Sequence, residues 1–353
     1  MIKFYYRVLL LIPMAIAVSC VTTRDVDIRA MEPAPVSLSD KIKRVGIIGG
    51  EIHIEGGKEE NSLNRLISRE NEQMILKARD AAIAGLYYEL ASDKRFDTIL
   101  LMEDVGQNVE DLQDDGNYLN WKTIEALCRE YEVDAIFSLA YYNADTKVSL
   151  KNTKMEQNDL LRVKYKVNGQ QITLETLIEN GWRIYDPSNK LVLDEFSFNN
   201  QIVSTAKGLN PYEALQAIEG RVESIIEQSK IAGSSYGSRL QPNEYSITRA
   251  YYVKGTPEFE KAESFTLSGD WESAANLWRS ESENPDPKIS SKACYNLAIL
   301  NERNNRLVAA VDWANKAYSK HSSKKNSAYI KALEFRMSQN EILQEQKVNL
   351  SSK

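Results

Sequence analysis

Hydrophobic positions change period along this chain, and those changes divide it into segments. From residue 41 the run Val45-Gly46-Ile47-Ile48-Gly49-Gly50 is short, β-branched and closed by glycines, which predicts a buried strand. Met74, Ala78, Ala81, Ala82, Gly85 and Leu86 then recur at three- and four-residue spacing, the stripe of a helix. Phe96 to Met102 predicts a second strand. Trp121, Ile124, Leu127, Cys128 and Tyr131 predict a second helix, and Asp134 to Ala140 a third strand. Strand, helix, strand, helix, strand is an α/β unit.

After Asn143 the period falls to two. Leu161, Val163, Tyr165 and Val167 alternate with Arg162, Lys164 and Lys166, and Asn168-Gly169 has the composition of a hairpin turn. Ile172 to Ile178, Trp182 to Tyr185 and Leu191 to Phe198 continue an antiparallel series. Its further turns are expected at Asn180-Gly181 and at Asp186-Pro187-Ser188-Asn189. A helix is expected from Asn210-Pro211, a cap followed by proline at the first helical position. Leu215, Ile218, Val222, Ile225 and Ile226 face inward, and the helix ends near Gly233. Residues 41–235 therefore read as one α/β domain, a mixed sheet covered by helices, and residues 236–255 as a linker.

Beyond the linker the pattern is helical throughout. Ala262, Phe265, Gly269, Trp271, Ala274 and Trp278 occupy the small, aromatic, turn, aromatic, small and aromatic positions of a tetratricopeptide-like repeat. Small residues let the two helices of a hairpin approach, aromatics fill the space between hairpins, and glycine turns the corner. Leu297, Ala298, Ala310 and Ala317 mark a second copy, with Asn305 where glycine is usual and Ala314 where an aromatic is usual. A last helix, with Tyr329, Leu333 and Met337 inward, would cap the stack. Residues 256–346 are thus an all-α helical hairpin stack, its concave side the natural partner-binding surface, and residues 347–353 a tail.

The N-terminus carries a different signal. Lys3 and Arg7 precede an apolar run from Val8 to Val18 that closes on Ala17-Val18-Ser19-Cys20, the three-part layout of a signal peptide over residues 1–19. Ala-Val-Ser-Cys resembles a lipobox, departing from it at Ala17, where leucine is commoner. Cys20 is then the lipidation site, and several acyl chains, each buried CH₂ contributing ~0.8 kcal/mol, would hold the protein on a membrane. No later apolar run approaches the ~20 residues that a membrane-spanning helix needs. Residues 20–40, which mix Thr, Asp, Glu, Ser and Pro with no period of 2 or 3.6, read as the lipidated cysteine and its tether. Val21, and the lack of an acidic run after Cys20, point to the periplasmic face of the outer membrane.

Composition narrows the function classes. The chain has 353 residues, 42% of them hydrophobic and 27% charged, with a net charge of −6, a balance that places it among globular proteins and speaks against a nucleic-acid footprint. Apart from Cys20 there are Cys128 and Cys294, each on the apolar stripe of its own helix, which favours buried free thiols over a disulfide. The two histidines, His53 and His321, have no metal-ligand spacing, so neither a catalytic histidine nor a metal site is expected. The glycines of residues 46–57 lack a phosphate-binding ending. The acidic cluster Glu110, Asp111, Asp114 and Asp115 departs from a calcium loop at Gln113 and Lys122 and reads as solvated. No cofactor is expected. In Trp182-Arg183-Ile184-Tyr185-Asp186-Pro187, aromatics on alternate faces of a strand suit a core on one side and a domain contact on the other.

Taken together, Cys20 with its lipobox, Pro33-Ala34-Pro35-Val36, Lys43-Arg44-Val45, Trp182 to Asp186, and Trp271 to Trp278 resemble a family of Gram-negative, Bacteroides-type envelope lipoproteins. The element order of the α/β part is also similar to the periplasmic fold of curli-secretion-channel proteins and of lipoprotein activators of cell-wall synthases. The resemblance implies a lipid-anchored periplasmic adaptor that binds an envelope protein partner through its repeats, without catalysis. The alternative is a subunit of an oligomeric outer-membrane or secretion assembly, and an enzyme ranks third.

Overall fold

The computed structural model describes residues 22–52, 62–102, 113–114, 118–158 and 161–351. Cys20, His53 and most of the acidic cluster fall outside the described residues. In chain order the elements are β1 (Thr23–Glu32), β2 (Arg44–Ile52), α1 (Ser62–Ser92), β3 (Thr98–Leu101), β4 (Gln113–Asp114), β5 (Tyr118–Leu119), α2 (Trp121–Glu130), β6 (Ala135–Asn158), β7 (Lys164–Asp186) and β8 (Leu191–Gly208). They continue with α3 (Pro211–Gln216), α4 (Arg221–Ser238), β9 (Asn243–Tyr252), α5 (Pro257–Leu267), α6 (Trp271–Glu281), α7 (Pro287–Arg303), α8 (Leu307–Lys320) and α9 (Lys324–Ser351). The chain forms two compact units: Pro33–Asn243 with the end of α9 from Leu343, and β1 with Glu244–Ile342.

The first unit is α/β, built on a mixed sheet in the order β3-β2-β6-β7-β8. β2 runs parallel to β3 and to β6, whereas β6, β7 and β8 form an antiparallel meander. Period-two alternation decides which side chains face which layer. Val45, Ile47, Phe137, Leu139, Trp182 and Ile184 pack with Met74, Ala78, Ala82 and Leu86 of α1 and with Ile225 and Tyr236 of α4. Ile48, Ile136 and Tyr185 face the other way, onto Ile124, Leu127 and Cys128 of α2. Trp182 and Tyr185 therefore both serve cores. The expected domain contact on the second side is corrected, because α2 covers it.

Glycines account for several further differences from the sequence expectation. Asn168-Gly169 and Asn180-Gly181 are not turns: both pairs lie inside the 23-residue β7, matched to Lys154-Thr153 and Tyr142-Tyr141 of β6. A Cβ on Gly181 would lie 2.1 Å from the Tyr141 ring, so this glycine makes room for an aromatic rather than turning the chain. The helix expected from Asn210 to Gly233 is two helices, α3 and α4, broken at Gly220, whose φ of +69° suits glycine. Asn210 caps α3 by accepting from the Glu213 amide at 3.0 Å, as its position before Pro211 predicts. α4 then runs through Gly233 and Gly237 to Ser238, because α1 crosses it backbone to backbone. A Cβ on Gly233 would sit 1.9 Å from the Ala82 carbonyl oxygen.

The stretches expected to be irregular are the other correction. Thr23–Glu32, read as tether, is strand β1, and Asn243–Tyr252, half of the stretch read as linker, is strand β9. The two pair with each other in a separate two-stranded sheet. Ile28 and Ala30 are buried and Val26 partly so, an alternation hidden in sequence by the charges interleaved with it. Asp186 to Asn189 does turn as expected, with Asp186 accepting from the Ser188 amide at 2.9 Å. In the second unit α5 to α8 form two helical hairpins closed by α9, so the fold is an α/β mixed sheet followed by an all-α helical stack. Among the described residues no helix is long and apolar enough to cross a membrane.

Candidate functional site

The residues expected to pack the helical repeats do meet in one core. Ala262, Ala274, Ala298, Ala310 and Ala317 have no accessible surface, and Trp278 and Leu297 keep 1% each. Phe265 and Trp271 pack against this core while partly exposed. Gly269 turns between α5 and α6 with φ of +85°, and Asn305, in the equivalent position between α7 and α8, has φ of +55°. Asparagine tolerates this left-handed conformation better than most residues, so the departure in sequence preserves the turn. Met337 is partly exposed, whereas Tyr329 and Leu333 are buried as expected.

What the pattern did not disclose is the occupant of the inner face. Every residue from Ala293 to Glu302 in α7 is buried, which no helix of an open two-hairpin stack could achieve alone. The cover is the chain's own strand pair. Tyr251, Val253 and Ile28 join the helical core, and Tyr251 meets Trp271 and Trp278 edge to face at 5.5 and 6.1 Å. Asn296 holds β9 by its main chain: its side-chain oxygen accepts from the Tyr252 amide at 2.7 Å, and its side-chain nitrogen donates to the Tyr252 carbonyl at 2.7 Å. The expectation of an exposed concave surface is corrected for the face around α7.

Beside this clamp lies a buried charge cluster. Glu302, with no side-chain exposure, accepts two hydrogen bonds from Arg249 of β9 at 2.9 Å, one from Arg336 of α9 at 2.7 Å, and one from the Tyr329 hydroxyl at 2.8 Å. Burial alone would raise its carboxyl. The hydrogen bonds from Arg249 and Arg336, the Arg249 charge and the Tyr329 hydroxyl outweigh that and hold it below the usual carboxylate range. Both Glu302 oxygens are engaged by other members of the group, which ties β9 and α9 to α7. Sequence reading missed Arg249, Asn296, Glu302 and Arg336. The available signal was the alternation of Tyr245, Ile247, Arg249 and Tyr251.

In the α/β unit a cavity of about 550 Å³ lies between the segment Ala34–Lys43, the α1–β3 turn and Leu240. Within it Arg95 donates to Asp93 at 2.8 Å and to the Leu240 carbonyl at 2.9 Å. Among the described residues there is no cluster of three or more histidine, cysteine or acidic side chains that could hold a metal. Cys128 and Cys294 are free and buried in separate cores, the first with its thiol pushed up to about 12 by burial.

The end of β9 also divides two family matches. Residues 42–252, well over half of the chain, match the family described as Domain of unknown function (DUF8603). The chain belongs to the DUF8603 family. Residues 260–338 match a second family, Domain of unknown function (DUF6340). The DUF8603 region thus includes β9, which packs in the helical unit and lends it Arg249, Tyr251 and Tyr252. No curated protein matches this DUF8603 member significantly. Among solved structures it is similar to the PelC dodecamer from Paraburkholderia phytofirmans, at 10% identity and a TM-score of 0.25, covering 62% of this chain and 98% of that one. It is also similar to a neuraminyllactose-binding hemagglutinin homolog from Helicobacter pylori, at 9% identity and a TM-score of 0.28, covering 58% and 84%.

Proposed function

We propose that this protein is a lipid-anchored adaptor of the cell envelope. Acyl chains on Cys20 hold it on the periplasmic face of the outer membrane, and its helical repeats bind a partner protein without catalysis. The observation that supports this reading is the completeness of the helical unit. Its seams are closed by alanines and its inner face by β9, yet Leu267, Val308 and Phe335 remain 63%, 65% and 62% exposed. None of the three side chains takes part in the unit's own core, which leaves them available to another molecule.

The test is capture from solubilised envelope with the anchored full chain beside a Leu267→Glu/Val308→Glu/Phe335→Glu variant, which alters exposed positions only. A partner held by the wild type and lost by the variant supports the adaptor. A partner retained by the variant removes these three side chains from the interaction. Cys20→Ser tests the anchor separately, since it is expected to move the protein from the membrane to the soluble fraction.

A second reading, a subunit of an oligomeric assembly, is favoured by β8. This strand of 18 residues pairs with β7 on one side and forms the edge of the sheet. From Ser197 to Ala206 it carries neither charge nor proline, the devices that usually blunt an open edge. Crosslinking that yields one large homogeneous species, dispersed by Val203→Lys and indifferent to the helical variant, would favour this reading over the adaptor.

A further inference from the structure

The turn between α8 and α9 concentrates charge of one sign. From Trp313 to Leu333 the sequence holds Lys316, Lys320, Lys324, Lys325 and Lys331 and no carboxylate, in a chain whose net charge is −6. Lys316 lies over the Trp313 ring at 4.3 Å, and Lys325 over Tyr252 and Tyr295 at 4.2 and 4.7 Å. Lys320, Lys324 and Lys331 are exposed, and none of the three forms an ion pair among the described residues. Lys324 and Lys331 border an open cleft of about 480 Å³ together with Tyr318, Ser322 and Ser327.

The cleft is held in shape from beneath. Asn326, 4% exposed, donates from its side-chain nitrogen to the His321 carbonyl at 2.9 Å, to the Ser291 hydroxyl at 3.1 Å and to the Ala317 carbonyl at 3.3 Å. Ser291 in turn donates to the Ala317 carbonyl at 2.7 Å. These bonds fix the α8–α9 turn to α7, so the cations stand on rigid backbone and a ligand need not order the loop on arrival.

We infer that this cleft receives an acidic segment of the protein partner, its carboxylates set among Lys320, Lys324 and Lys331 and its polar groups against the hydroxyls of Tyr318, Ser322 and Ser327. The inference rests on the adaptor reading and specifies the partner's chemistry. Charge complementarity carries it: lysines of one sign without counter-charges, on a chain otherwise acidic, raise the local concentration of an anionic partner. The adaptor reading makes a protein segment the occupant, and the tyrosine and serine hydroxyls beside Lys324 and Lys331 suit its polar groups. An anionic bilayer is the other surface such a charge could meet, and the vesicle measurement distinguishes the two.

The experiment uses the anchored full chain in detergent and measures fluorescence anisotropy of a labelled octaglutamate peptide. It compares wild type with a Lys320→Glu/Lys324→Glu/Lys331→Glu variant whose circular dichroism and melting temperature match. Binding that weakens about tenfold or more in the variant, and weakens with added salt, is the expected result. Equal affinity for both proteins, or no binding to either, overturns the inference. So does lysine-dependent binding to phosphatidylglycerol vesicles without any to the peptide, which would assign the patch to the membrane. Envelope capture separates this inference from the reading beneath it. A partner held equally by wild type and the charge-reversed variant, and lost on Leu267→Glu/Val308→Glu/Phe335→Glu, sinks the acidic-segment inference and leaves the adaptor standing.

Discussion

Glu302→Gln is the substitution whose outcome the geometry constrains most tightly. It conserves volume and removes one negative charge that serves two guanidinium groups. Breaking a buried ion pair by removing one partner costs about 3–5 kcal/mol, because the remaining charge stays desolvated and uncompensated. Arg336 keeps 7% of its side chain exposed and Arg249 keeps 19%, so water relieves Arg249 in part and the lower end of that range, about 3 kcal/mol, applies. In a unit of about this size the melting temperature should fall by roughly 12 °C or more. Urea unfolding read by tryptophan fluorescence is a suitable assay, since Trp278 lies in the helical core and Trp271 and Trp313 pack against it.

The same variant carries a pH signature. A carboxylate depressed in the folded state contributes stability that is complete above its unfolded value, about 4.3, and is lost as pH falls through the lower folded value. The stability gap between wild type and Glu302→Gln should therefore hold from neutral pH down to about 5 and close in the acid range below the unfolded value. A loss under about 1 kcal/mol at neutral pH would refute the reasoning, by showing that the cluster's desolvation cost cancels its attraction. Replacing Glu302, Arg249 and Arg336 together by Leu, Met and Met should recover most of the loss, since no buried charge is then left alone.

Three further outcomes are expected. Gly233→Ala forces a methyl against the Ala82 carbonyl at the α1–α4 crossing and should destabilise the α/β unit by about 3 kcal/mol in chemical unfolding, where an exposed Gly→Ala in a helix would stabilise it. Asn296→Ala strands the Tyr252 amide and carbonyl and should cost about 2–3 kcal/mol. Hydrogen exchange should then show β9 opening before α7. Cys128 and Cys294 have their thiols raised by burial, so a thiol reagent at mildly alkaline pH should label neither until the protein unfolds. Rapid labelling of the native chain would mean that its cores open far more readily than their packing implies.

Local chemistry made much of this architecture legible. The α/β order came from the alternation of strand and helix periods, the α3 cap from Asn210-Pro211, and the repeat core from small and aromatic residues whose spacing is set within single helices. Asn305 could be placed at the turn position because the repeat supplies its context. These features depend on neighbours a few residues away, which sequence displays directly. The roles of glycine were not legible in that way. Asn168-Gly169, Asn180-Gly181 and Gly233 carry the composition of turns or linkers, yet serve close approaches to Met155, Tyr141 and Ala82 that are distant in sequence or set by strand register. The partnership of β1 with β9 was hidden for the same reason. Each strand is short, charged on one face and marginal alone, and both become strands because the other and the face of α7 complete them. Glu302 and Arg249 look like solvated surface residues in the sequence. Only the tertiary structure decides that they meet in the dark, because a charge enters a core when its counter-charges arrive with it, and those come from β9 and α9.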